Sequence, residues 1–124
     1  MRNKLVSEGD KIINLGTQGE NNAVEIQFSL IDRFLSLPKM NGEYRKDGKF
    51  EIWAKRNGDQ KAYRVDNSKV DKSTIYWTVS SKDTAVPGIG TAIIYFRTES
   101  ELIKSKTWYT FVKKDTGGTN RCRT

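Results

Sequence analysis

Hydrophobic and polar residues alternate along most of this chain. In "AVEIQFSLI", Val24, Ile26, Phe28 and Leu30 fall on one side and Glu25, Gln27 and Ser29 on the other. That period of two marks a half-buried strand; at helical spacing Val24 and Ile26 would point in quite different directions. "KFEIWAK" repeats the pattern, with Phe50, Ile52 and Ala54 opposite Glu51, Trp53 and Lys55. "TIYWTVS" sets Ile75, Trp77 and Val79 against Tyr76, Thr78 and Ser80, and "TAIIYF" sets Ala92, Ile94 and Phe96 against Ile93 and Tyr95. "KTWYTFVKK" closes the series with Trp108, Thr110 and Val112 opposite Tyr109 and Phe111. A shorter apolar run, Ile12, Ile13 and Leu15, precedes them all.

Turn residues punctuate these runs. "GTQGENN", "MNGEY", "KDGK" and "DNSKVDKS" are rich in Gly, Asn and Asp, which tolerate or cap tight backbone bends. Asn57-Gly58 in "RNGD" suits a primed two-residue hairpin turn. Pro87-Gly88 and the "GIG" at 88 to 90 read as a turn, and Ser81 or Asp83 can cap one helical turn through "DTAV". Residues 32–48 read as a long connection anchored by Phe34, Leu35 and Leu37 and stopped by Pro38. No long stretch carries a 3.6-residue period, so a βαβ architecture is disfavoured. About seven short strands with polar turns between them predict an all-β, antiparallel β-sandwich, Ig-like or jelly-roll-like.

The expected core is Val24, Ile26, Phe28, Leu30, Phe50, Ile52, Ile75, Trp77, Val79, Ile94, Phe96 and Val112. Each such side chain contributes roughly 1.5–3 kcal/mol when fully buried. That list leaves Trp53, Tyr76, Tyr95 and Tyr109 pointing away from the core, with Trp108 as a further outward candidate. Three readings of the surplus rings stand. The 32–48 connection and the N-terminal segment cover them; or they form a protein interface, where Trp, Tyr, Phe and Arg are enriched; or they stack on a sugar or a single-stranded nucleic acid. The interface ranks above the platform, since nothing in the spacing favours a saccharide over a protein.

Composition narrows the chemistry. The chain has 124 residues, enough for one domain with a real core. Residues 1–10 are expected to form a flexible N-terminus, residues 11–114 the sandwich, and the polar, Gly-rich residues 115–124 a linker or disordered tail. Histidine is absent and Cys122 is the single cysteine. Internal disulfides, His/Cys zinc sites and Ser-His-Asp or Cys-His catalysis therefore drop out. "GIG" and "GTQGENN" lack the further residues of dinucleotide or phosphate loops. Glu99 with Glu101, and Asp47 with Glu51, read as surface charge, and "KDTGG" has no calcium-loop pattern. The expectation is a non-enzyme with no catalytic residues, cofactor or metal. The formal charge of +7 is spread along the chain, so nucleic acid is not the expected partner. No apolar run reaches the roughly 18 residues of a spanning helix, and "MRNKLVSEGDK" lacks the apolar stretch of a signal peptide.

Three segments carry a family likeness: "QGENNAVEIQFSL", "YRV", and the long "IYWTVSSKDTAVPGIGTAIIYFRTESELIKSKTWYTFVKK". The pieces are Gly19-Glu20-Asn21, Ala23 and Ile26; then Trp77, Val79, Asp83-Thr84-Ala85, Gly88 and Gly90; then Ile103-Lys104-Ser105 with Phe111 or Val112. Together they span most of residues 10–114. In these pieces the chain resembles the N-terminal domain of the phage upper baseplate protein family, known from lactococcal siphophages. The long "LSLPKMNGEYRKDGK" connection departs from that pattern. The resemblance implies a virion structural protein made in the bacterial cytoplasm and placed in the phage tail baseplate. It implies an adaptor that docks to the baseplate core and links it to receptor-binding proteins for host adsorption. Later parts of a longer chain would form a trimer. A carbohydrate-binding module contacting the host surface is the alternative.

Overall fold

Alternation becomes pairing once each strand finds a neighbour that buries the same face. The computed structural model describes residues 1–6, 10–29, 39–40, 43–44 and 47–116. Its strands are β1 (Arg2–Leu5), β2 (Ile12–Thr17), β3 (Val24–Ser29), β4 (Lys39–Met40), β5 (Glu43–Tyr44), β6 (Lys49–Lys55), β7 (Tyr63–Arg64), β8 (Ser68–Asp71), β9 (Thr74–Thr78), β10 (Gly88–Arg97) and β11 (Leu102–Lys113). Among the described residues there are no helices. A four-stranded sheet runs β1-β3-β9-β8 and a five-stranded sheet runs β2-β11-β10-β6-β7, while β4 and β5 pair separately. Their inner faces share one apolar cluster, which is the sandwich that the alternation predicts.

Two edge pairings differ from the antiparallel expectation. β1 runs parallel to β3 and β2 runs parallel to β11, so both sheets are mixed. Within the N-terminal segment expected to be flexible, Arg2–Leu5 forms the β1 edge of the four-stranded sheet. Its polar run "RNKL" has no alternation to reveal it; main-chain bonds such as Arg2 N to Ala23 O and Val6 N to Gln27 O hold it. The expected tail falls largely outside the described residues, as does most of the 32–48 connection. Within that connection the ladder of Lys39 with Tyr44 and Met40 with Glu43 frames Asn41-Gly42, the pair expected of a hairpin.

Of the expected core, Val24, Ile26, Phe28, Ile52, Ile75, Trp77, Val79, Ile94, Phe96 and Val112 are buried, and Phe50 packs against them part-exposed. Leu30 lies outside the described residues. Val6, Ile13, Leu15, Ala54, Val65, Ala92 and Trp108 complete the cluster.

Trp108 therefore leaves the list of candidate interface residues. It is fully buried, with its ring 5.1 Å from that of Phe28. Alternation back from Val112 through Thr110 turns Trp108 inward, while alternation forward from Ile103 would turn it outward, and a bulge between them reconciles the two. Ile93 pairs with Thr107 but Tyr95 pairs with Lys104, so Ser105 and Lys106 together oppose Ile94. The Ser105 hydroxyl accepts the Ile94 N–H at 3.0 Å and so satisfies the amide at the break. The extra residue shifts the parity of β11, bringing Trp108 to the same side as Ile103 and Ser105.

Two turns also differ from expectation. At residues 56–59 only Gly58 takes a positive φ, 86°, so the primed geometry does not form there. Ala54 pairs with Tyr63, leaving a longer loop that Asp59 pins by accepting the Arg56 backbone N–H at 2.8 Å and its Nε at 2.9 Å. "GIG" is the start of β10 rather than a turn. Gly90 runs so close to β6 that a Cβ there would strike the Lys55 carbonyl oxygen.

Candidate protein interface

Two motifs far apart in the chain meet in one polar knot. Asn21 Oδ1 accepts the Ser81 N–H at 2.9 Å, and the Thr84 hydroxyl donates to the Glu20 carbonyl at 2.7 Å. Gly19 N reaches Thr84 O at 3.3 Å. The connection after β9 turns over Ser80–Ala85 rather than through the expected "DTAV", with Thr84 N bonded to Ser80 O. Asp83 does not cap it from the front. It reaches back, and its buried carboxylate accepts from Ser80 N at 2.9 Å, Trp77 Nε1 at 3.1 Å and Tyr63 Oη at 2.6 Å. Tyr63 belongs to the five-stranded sheet and Trp77 to the four-stranded one, so this carboxylate ties the sheets together. Burial and the adjacent Asp83 push the Tyr63 phenol far above the usual tyrosine range. These bonds join the two sheets and the two loops into one structural unit.

The surplus rings divide between two surfaces. Tyr76 projects from β9 on the outer face of the four-stranded sheet, with Lys69 Nζ 5.7 Å from its ring centre. Trp53, Tyr95 and Tyr109 project from β6, β10 and β11 on the outer face of the five-stranded sheet. Trp53 and Tyr95 stack 5.9 Å apart, tilted 29°. Trp53 Nε1 donates to Glu51 at 3.0 Å, and Lys104 Nζ lies 5.4 Å from the Tyr95 ring centre. Arg64 and Arg97 approach the same Glu51 carboxylate at 3.8 and 3.5 Å. This half of the face is a partly exposed, charge-braced rib.

The other half is open. Ile12 is 58% exposed, Ile89 56%, Tyr109 56% and Phe111 37%. Strand register makes them neighbours, since Ile12 pairs with Tyr109 and Ile89 with Phe111, while Tyr109 and Phe111 are two residues apart on β11. Directly opposed side chains lie roughly 4.5–5.5 Å apart at Cβ, so the four form one contiguous apolar patch. A shallow concavity of about 270 Å³ borders it, lined by residues including Lys55, Arg56, Asp59, Ile89, Thr91 and Tyr109. A larger one, about 400 Å³, lies between Gly48–Phe50 and Ser68–Val70 and touches none of the candidate rings.

The sequence reading caught Tyr109 and missed Ile12, Ile89 and Phe111. The usable signal was the outward parity of Phe111, two residues after Tyr109. Nothing local could have placed Ile12 or Ile89 beside them. Among the described residues, no group of three or more His, Cys, Asp or Glu side chains comes together as a metal site would need.

No family model matches the chain, and no curated protein matches it either. Among solved structures it is similar to the N-terminal domain of phage TP901-1 ORF48. The likeness has a TM-score of 0.57 at 15% identity and covers 92% of this chain and 100% of that one. It is a likeness of fold, and it falls on the N-terminal domain of a phage protein, the kind of domain that the sequence motifs resemble.

Proposed function

We propose that this chain is a structural module of a phage tail or baseplate, held in the virion by protein docking and without catalysis. The observation that carries the reading is the fold shared with a phage protein's N-terminal domain over nearly the whole chain. The exposed apolar patch supports it, because a contiguous apolar surface rimmed by polar groups marks a place where another molecule sits. In the finer reading the module docks to the baseplate core and links it to receptor-binding proteins during host adsorption. A longer chain would trimerise through segments beyond this one. A saccharide platform is less supported. Trp53 and Tyr95 stack on one another and Lys104 lies near the Tyr95 ring, so Tyr109 is the ring on this face most open to a sugar.

The test is co-assembly. The chain is mixed with recombinant tail and baseplate proteins encoded by the same phage, and complexes are sized by light scattering after gel filtration. A defined complex with at least one of them is expected at micromolar concentration. Labelled antibodies against the chain should decorate the distal end of the virion tail. Absence of both results overturns the reading.

A further inference from the structure

We propose that the open half of the five-stranded sheet's outer face, centred on Tyr109 and the concavity beside Lys55, is the docking site. We propose further that its partner is a protein surface presenting an apolar side chain flanked by carboxylates. The inference rests on the structural-module reading for its biology but on separate observations for its chemistry.

The charge on this face is one-sided. The outward positions of β6, β7, β10 and β11 carry Lys49, Lys55, Arg64, Arg97, Lys104 and Lys113 against a single carboxylate, Glu51. Glu51 is already engaged by Arg64, Arg97 and the Trp53 N–H. Among the described residues, neither Lys55 nor Lys113 makes a direct ion pair; Asp59 feels the Lys55 charge but is bonded to Arg56. They flank the patch, since Lys55 pairs with Thr91, the neighbour of Tyr109, and Lys113 follows Phe111 by two residues on the same side. An acidic partner would find unspent cations at the rim and an apolar centre between them, the usual anatomy of a protein interface.

The same charge argues against other occupants. A second copy would set one cationic face against another. A nucleic acid would find the cations, but two of the four central side chains, Ile12 and Ile89, have no ring on which a base could stack.

The experiment maps amide shifts of the folded chain on titration with a short synthetic peptide carrying Phe and Leu between Asp and Glu residues. Controls are its Asn/Gln counterpart, an oligothymidine, and the chain itself at millimolar concentration. The acidic peptide is expected to shift Lys55, Ile89, Tyr109 and Phe111. Its affinity should fall about tenfold in K55E/K113E and in Tyr109→Ala and stay unchanged in Tyr76→Ala. Each variant's spectrum confirms that it is folded. Shifts elsewhere, equal binding of the neutral peptide, tighter binding of oligothymidine at these residues, or self-association through them overturns the inference. Peptide binding here without binding to any tail protein keeps the inference and sinks the baseplate reading. A complex with tail proteins that tolerates K55E/K113E and Tyr109→Ala does the reverse.

Discussion

The two outer faces of this sandwich are built by the same alternation and carry different surfaces. The four-stranded sheet turns Glu25, Gln27, Ser29, Thr74 and Thr78 outward, with Tyr76 as its large ring and exposed Leu5 beside Gln27 at its β1 edge. The five-stranded sheet turns out Ile12, Ile89, Tyr109 and Phe111. A polar outer face is what water requires of a half-buried sheet. A contiguous apolar one is the kind of surface at which interaction sites are found. The difference says that the candidate surface belongs to one sheet, and that an outward aromatic by itself does not identify it.

The comparison breaks most completely if the sheets are uncoupled. Asp83→Ala removes the acceptor shared by Tyr63, Trp77 and Ser80 and is expected to cost about 3–5 kcal/mol in chemical denaturation. A loss under about 1 kcal/mol would show that the carboxylate is not the tie. Gly90→Ala acts on one sheet, forcing β10 away from the Lys55 carbonyl, with an expected loss of about 2–3 kcal/mol. A melting temperature equal to that of the wild type would contradict the close approach.

Sharper and smaller effects come from the faces themselves. The triple variant Ile12→Thr, Ile89→Thr and Phe111→Thr should stay within about 1 kcal/mol of the parent while reducing fluorescence of a bound apolar dye. Tyr76→Ser should leave that fluorescence unchanged. Equal dye signals from both variants would erase the distinction between the faces. The smallest effect is acid sensitivity at Glu20. The Thr17 N–H bond, then Arg2, holds this carboxyl below its ordinary 4.5. A depressed folded-state pKa means that its contribution is present above about pH 4.5 and is lost as the pH falls through the lower folded value. The site is partly solvated, so Glu20→Gln should flatten the acid limb of stability only slightly. A flattening on the alkaline side instead would refute the sign.

The motif residues that carried the family likeness turned out to mark the fold. Gly19–Asn21 and Asp83–Ala85 are the two halves of the polar knot. The candidate surface was only partly legible. Trp53, Tyr95 and Tyr109 share a face, Tyr76 lies on the other, and Trp108 is inside. Trp108 alternates inward with Val112 but outward with Ile103, and "LIKSKTWYTFVKK" carries no local sign of the bulge at Ser105 and Lys106 that decides between the two.

The residue pattern by itself determined that this chain makes strands and which side chains of β3, β6, β9 and β10 turn inward. Those properties depend on near neighbours and on residue type. Only the tertiary structure decided that β1 and β2 close the two sheets as parallel edges, and that Ile12 comes to lie beside Tyr109. Pairing between strands nearly a hundred residues apart is settled by which faces bury each other best, and no local stretch of sequence contains that choice.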